Sequence, residues 1–281
     1  MEYEYRISHL SSSFLVWFGI FLSTFFACFH LSSFAAPAKG AVPVSSPLRV
    51  CSEPGFFPFE MQTHKGEWIG YDIDLIKMFA KSSGRKVSFV DVRFSDLIQA
   101  LTQVRSCDVV ASAMMINEER QKIVLFSRPT YETYYGALLR HEDIKKFTTA
   151  ASLNKPEVRI AVQRGTQSAQ YVSLNFSKAQ IIVFDTNKQT VKAVLEHKAD
   201  IFIDDSVFIT MTVKRKSSLL AEMDPQLFPD NDYSGMGIAF RREDTALKAE
   251  FDTFFEKIQK NGELNKLQKY YFEDMTWMKN F

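Results

Sequence analysis

The chain has 281 residues, 46% of them hydrophobic and 24% charged, with a formal net charge of +1. That length accommodates one large or two modest globular domains. The near-neutral balance leaves no basic footprint for nucleic acid and no acidic tail, which argues against nucleic-acid partners.

Residues Phe14 to Cys28 form an uncharged apolar run of signal-peptide length, and small residues follow at Ser33, Ala35, Ala36 and Ala38. Ser33-Phe34-Ala35 supplies a small-x-small cleavage site, so residues 1–35 are expected to be an export signal. Glu2 and Glu4 outweigh Arg6, whereas such signals carry a positive excess. Two rivals stay open: lipidation at Cys28, which follows Ala27, and an uncleaved anchor, since the run with its flanks just spans a bilayer.

Beyond this segment, strand-like runs alternate with helical patterns, which implies parallel β-α-β units and an α/β fold. Strands are expected at Leu48–Cys51, Lys86–Val90, Val109–Ala113, Tyr134–Leu139, Arg159–Val162, Gln180–Phe184, Ile201–Ile203 and Gly237–Phe240. Helices are expected at Asp72–Lys81, Ser95–Val104 with Ser95 as N-cap, Ser168–Leu174, Lys188–His197, Ser206–Lys214 and Asp244–Gln259, with one more after Gly262. No internal repeat stands out. Cys51 and Cys107 fall in or beside strands, and an even count in an oxidising compartment permits a disulfide. Buried free cysteine is common, so two buried thiols are the expectation. His64, His141 and His197 are scattered without metal-ligand spacing, and neither a P-loop nor a G-x-S-x-G elbow is present, so no metal and no cofactor are expected.

The stretch Leu48 to Ala80 places Glu53 and the aromatics Phe56, Phe57 and Phe59 at the carboxyl end of the first strand, where open α/β sheets put their ligands. It resembles the first strand, ligand loop and first helix of the periplasmic solute-binding proteins that serve amino-acid ABC transporters, the family-3 extracellular solute-binding proteins. Four more stretches follow in the family's order: DVVASAMMINEERQKIVLFSRPTYE from Asp108, VRIAVQRGTQSAQYV from Val158, ADIFIDDS from Ala199 and YSGMGIAFRRED from Tyr233. The resemblance covers the chain from about Pro47 onward. It implies a type II periplasmic-binding-protein-like fold of two lobes, with two hinge strands and a ligand cleft between the lobes. Lobe 1 would hold residues 44–131 and 237–281, and lobe 2 residues 132–236, with Thr130–Tyr134 and Asp232–Gly235 as hinge segments.

A free amino acid is a zwitterion, so its site needs a fixed cation, a fixed anion and a side-chain pocket. Arg120 offers a planar fork that matches a carboxylate; the plain alternative is a surface arginine paired with Glu118 or Glu119. Its resemblance to the family's T-x-(T/S)-x-E-R stretch assigns it to the ligand carboxylate. Asp204 or Asp205, ending a strand, could simply cap the next helix. The resemblance assigns Asp205 to the ligand ammonium and leaves capping to its neighbour. Thr166, Gln167 and Ser168 would present amides at a helix N-terminus, with Thr166 as the plain cap. Glu53, Phe56 and Phe94 would line the side-chain pocket, where an acid disfavours glutamate or aspartate as ligand. Gln163, Ser112, Ala113 and Met115 complete the set. Met115 departs from the family, which carries a polar residue there, and a side-chain hydrogen bond is lost with it.

The resemblance implies a periplasmic protein, not an enzyme, that captures a polar, cationic amino acid (arginine, lysine or histidine, or else glutamine). It would act as a monomer and hand its ligand to an inner-membrane ABC transporter permease. Two alternatives remain: a cyclohexadienyl dehydratase acting on arogenate or prephenate, with Glu53 as the acid, and a ligand-sensing module.

Overall fold

The computed structural model describes residues 46–228 and 234–280. The expected signal at 1–35, Cys28 with it, and positions 232–233 of the second hinge segment lie outside the described residues. Among the described residues no helix is long and apolar enough to cross a membrane.

The chain enters through β1 (Leu48–Ser52), a small hairpin of β2 (Met61–Gln62) and β3 (Trp68–Ile69), and α1 (Tyr71–Ser82). Next come β4 (Val87–Asp91), the short α2 (Leu97–Gln99), β5 (Val109–Val110), α3 (Glu118–Gln121) and β6 (Val124–Phe126). β7 (Tyr131–Thr133) leads into β8 (Tyr135–Arg140), α4 (Ala150–Leu153), β9 (Arg159–Gln163), α5 (Gln167–Asn175) and β10 (Gln180–Phe184). α6 (Asn187–Leu195), β11 (Ile201–Asp205), α7 (Ser206–Arg215) and β12 (Leu220–Glu222) follow. β13 (Ser234–Met236) and β14 (Ala239–Arg241) lead back, ahead of α8 (Thr245–Lys260) and α9 (Glu263–Gln268).

Two five-stranded sheets result, ordered β4-β1-β5-β14-β6 and β10-β9-β11-β8-β12. Alternating elements lead one to expect parallel pairing, and the core of each sheet obeys: β1 is parallel to β4 and β5, and β9 to β10 and β11. The exceptions arise where the chain enters or re-enters a sheet. β8 runs antiparallel to β11 and β12, and β14 antiparallel to β5 and β6. β7 and β13, the two crossings between the sheets, pair antiparallel with Thr133 opposite Ser234 and Tyr131 opposite Met236.

Local sequence explains the main elements. α8 buries Leu247, Phe251, Phe254, Phe255 and Ile258 along one helical stripe and keeps Lys257 and Lys260 in its last turn. Its Phe251 and Phe254 rings meet Phe79 of α1 at 5.3 and 5.6 Å. The helix expected from Ser95 is less regular. A 3-10 turn at Phe94–Asp96 precedes α2, and the Ser95 hydroxyl donates to Asp96 instead of capping.

The two sheets share a clamp that the sequence conceals. The Asp108 carboxylate accepts from the backbone N–H and Nε of Arg49, while Asp200 accepts from the same two groups of Arg159. A second arginine completes each: Arg241 donates to the carbonyl of Cys107, and Arg140 to that of Ala199. Arg105 and His197, three residues before each aspartate, both take positive φ. Only an Arg and an Asp recur, too little to read as a repeat.

Cys51 and Cys107 form a disulfide, with Cα atoms 5.6 Å apart, contrary to the expected thiols. That separation lies in the range a disulfide requires, and it follows from β5 pairing beside β1, which the sequence does not state. Both residues are fully buried in the first sheet. Replacing both by alanine should cost about 2–4 kcal/mol, since the bond closes a long loop in the unfolded chain. Ligand affinity should hardly move. Unchanged thermal and denaturant melts of the double variant would contradict a stabilising role.

Candidate functional site

A small cavity lies between the two sheets' carboxyl ends, and it brings together all eleven residues singled out from the sequence. The first lobe contributes Glu53, Phe56, Phe94, Ser112, Ala113, Met115 and Arg120, and the second Gln163, Thr166, Gln167 and Asp205. Its free space is about 30 Å³, well short of the volume usual for a small-molecule site. Anything of amino-acid size therefore needs the lobes to part.

Arg120 sits on α3, a helix started by Asn117, whose side-chain oxygen accepts from the Arg120 backbone N–H at 2.8 Å. The guanidinium is 5.4 Å above the Phe94 ring and donates to the Met115 carbonyl at 2.7 Å and, across the cleft, to the Gly165 carbonyl at 2.9 Å. Phe94 is its aromatic neighbour. No carboxylate of the described residues forms an ion pair with it, and burial lowers its pKa to about 10. The surface pairing with Glu118 or Glu119 is not what the fold adopts.

The acids face it in number. Glu53, just beyond β1, accepts from the Gln163 amide of the opposite lobe at 2.5 Å. Burial raises its pKa to about 7, against the opposing hydrogen bonds from Gln163 and the Phe94 backbone. Glu60 is almost wholly buried. Its Oε1 accepts from the Ser112 hydroxyl, which itself accepts from the Glu53 backbone N–H. The other oxygen, Oε2, has no hydrogen-bond partner among the described residues. Burial and the nearby Asp72 push the Glu60 pKa well up. Asp72 in turn accepts from the Ala113 backbone N–H, so that amide is already engaged.

Asp204 and Asp205 end β11. Asp205 Oδ1 accepts from the N–H groups of Val207 and Phe208, so Asp205 itself caps α7, where its neighbour had been expected to. Asp204 accepts from the Ser168 hydroxyl at 2.9 Å. Desolvation raises both, Asp204 to about 7 and Asp205 to about 6. Thr166 does cap α5, accepting from Ala169, and Gln167 and Ser168 open that helix against the cavity.

Three lining residues were not singled out from the sequence: Glu60, Asn187 and Met236. Glu60 follows Phe59 and reads as part of a core run. Asn187 begins α6 behind the Thr186 capping box, the one local signal that could have placed it at a strand's carboxyl end.

Several contacts span the cleft besides Glu53 with Gln163. Asn117 bonds Gln167, and the Phe56 ring stacks on Phe208 of α7 at 4.6 Å and 3°. Gly165 (φ +77°) comes so close to the first lobe that an added Cβ would lie 3.1 Å from the Ser95 Cα. Only glycine serves both that backbone angle and that approach.

Residues 48–274 match the bacterial extracellular solute-binding proteins, family 3. The arginine-binding periplasmic protein of Mannheimia haemolytica is 29% identical over 223 residues, covering 78% of this chain and 88% of its own. The cyclohexadienyl dehydratase of Pseudomonas aeruginosa is 25% identical over 229 residues, covering 82% and 84%. Among solved structures, an ancestral amino acid-binding protein, a precursor of cyclohexadienyl dehydratase, superposes with a TM-score of 0.76 at 31% identity, covering 81% of this chain and 96% of its own. With the two-lobed α/β architecture and the cleft already described, the match settles the family: the chain belongs to the bacterial extracellular solute-binding proteins, family 3.

Proposed function

We propose that this protein captures a cationic amino acid between its lobes and hands it, as a monomer, to an inner-membrane ABC transporter permease. The observation that carries the reading is the charge layout: one buried guanidinium without a carboxylate partner, opposed by Glu53, Glu60, Asp204 and Asp205. A ligand with one carboxylate and two separated cations meets that layout. Its carboxylate pairs with Arg120 and the amides that open α5, and its ammonium with Asp204 and Asp205. The side-chain cation reaches Glu53 and Glu60 between Phe56 and Phe94. Residues 1–35 serve as an export signal, with lipidation at Cys28 as the rival outcome that N-terminal sequencing separates. The lobe assignment is residues 44–131 with 237–281, and 132–236 for the second lobe and hinges.

Capture proceeds by hinge bending at β7 and β13. Contacts that bridge the cleft, such as Glu53 with Gln163, give way to contacts with the ligand, which touches both lobes only when they close. A thermal-shift screen across the twenty amino acids tests this. Arginine, lysine and histidine should raise the melting temperature and glutamate and aspartate should not; silence across the set would overturn the reading.

One observation keeps an enzyme reading alive. Glu53 holds a proton near pH 7 beside the cleft, as a general acid must. Turnover of prephenate or arogenate by the purified protein would replace the transport reading with it.

A further inference from the structure

A second and larger cavity, about 560 Å³, lies on the far side of Phe56 from the cleft. Its first wall is the Pro54–Phe57 loop of the first lobe, and its second is α6 and α7 of the other lobe. The two cavities share Glu53, Phe56 and Asn187, and the stacked Phe56 and Phe208 rings form the partition between them. A volume of this size is what a small-molecule site requires.

The lining combines two characters. Phe57, Val191, Leu195 and Phe208 supply an apolar floor. Lys188, Lys192, Arg215 and Lys216 surround it, and Glu53 is its single acidic residue, already held by Gln163. Lys192 has its own partner in Glu196, at 3.4 Å. Arg215 does not. Its guanidinium lies over the Phe57 ring at 4.1 Å, and no carboxylate among the described residues forms an ion pair with it. An exposed arginine stacked on an aromatic ring, with its fork unused, is a ready receptor for a carboxylate.

We propose that this cavity is a second binding site, for a small amphipathic carboxylate with an aromatic or branched apolar body. The carboxylate pairs with Arg215, with Lys188 and Lys216 adding to the local field, and the apolar body lies on Phe57, Phe208 and Leu195. Because the walls come from both lobes, such a ligand binds the closed arrangement best and holds it without needing a cleft ligand, and a cleft ligand that closes the lobes strengthens its binding by linkage.

The test uses 3-phenylpropanoate and its uncharged twin 3-phenylpropanamide, titrated calorimetrically into the exported protein without any amino acid present. The carboxylate should bind saturably with one site, and the amide at least tenfold more weakly. Arg215→Gln should weaken the carboxylate at least tenfold and Lys188→Gln less, while Leu195→Trp, which fills the cavity from a half-buried position, should abolish binding. Thermal melts check that each variant folds, and Arg215→Gln and Leu195→Trp should keep wild-type affinity for cleft ligands. Absence of saturable binding, equal binding of the twins, or binding kept by both Arg215→Gln and Leu195→Trp overturns the proposal. So does loss of binding in Arg120→Ala with retention in Arg215→Gln, which would place the probe in the cleft. Since no amino acid is needed, failure here and failure of the cationic amino-acid reading are separate results.

Discussion

Arg120→Ala is expected to weaken arginine binding by at least about 30-fold, equivalent to about 2 kcal/mol or more, the scale for truncating one partner of a buried charge pair. The free protein should tolerate the change far better. Its guanidinium is mostly buried with two carbonyls as partners and no carboxylate, so the variant loses modest hydrogen bonds and sheds a desolvated charge. The signature is thus a large drop in affinity beside a small change in the ligand-free melt. Arg120→Lys keeps the charge but not the fork, and should recover only part of the affinity. Equal calorimetric affinities for wild type and Arg120→Ala would remove Arg120 from the site.

Binding should also depend steeply on pH. Burial raises Glu53 and Asp204 to about 7 and Asp205 to about 6, and it pushes Glu60 well above the usual carboxylate range. A cationic ligand prefers the ionised forms, so affinity rises with pH and levels off above about 7, with protons released on binding. If one group of pKa about 7 must ionise, only about 3% is ready at pH 5.5, which is about a 30-fold loss of affinity. The ligand-free protein responds in the opposite sense. Its folded state keeps these protons up to about pH 7, whereas the unfolded chain loses them near pH 4. The stabilisation this gives is complete below about pH 4 and disappears as pH rises through 6 to 7. The melting temperature of the free protein should therefore fall from pH 5 to 8 while the ligand-induced shift grows. Calorimetry in buffers of different ionisation enthalpy reads the proton release directly, and an affinity flat between pH 5.5 and 8 would contradict the role given to these acids.

Legibility in the sequence followed length and apolar content. The run Gln180–Phe184 forms a strand over the same five residues that the pattern marked, and the Phe-rich stripe of α8 announces its buried face. Two-residue strands such as β2 and β3 are too short to carry a period, and the four-residue α3 is set by its Asn117 cap and cross-cleft packing. Antiparallel β14 and the disulfide depend on which strands become neighbours, a fact of topology that no local pattern encodes. At the cleft, strand-end residues such as Glu53 and Asp205 stood out because a charge there is costly without a purpose. Glu60 did not, because its burial comes from the turn at Pro58 folding it back toward Phe56, to which it is bridged.

The position of β14 makes the two lobes unequal in a way that bears on processing. The second sheet is drawn from one uninterrupted stretch, β8 to β12, and owes no strand to the rest of the chain. The first sheet receives β14 between β5 and β6, not at an edge. A nick or stop before Ala239 would therefore take the middle out of one lobe, stranding β6 with no partner, and leave every strand of the other in place.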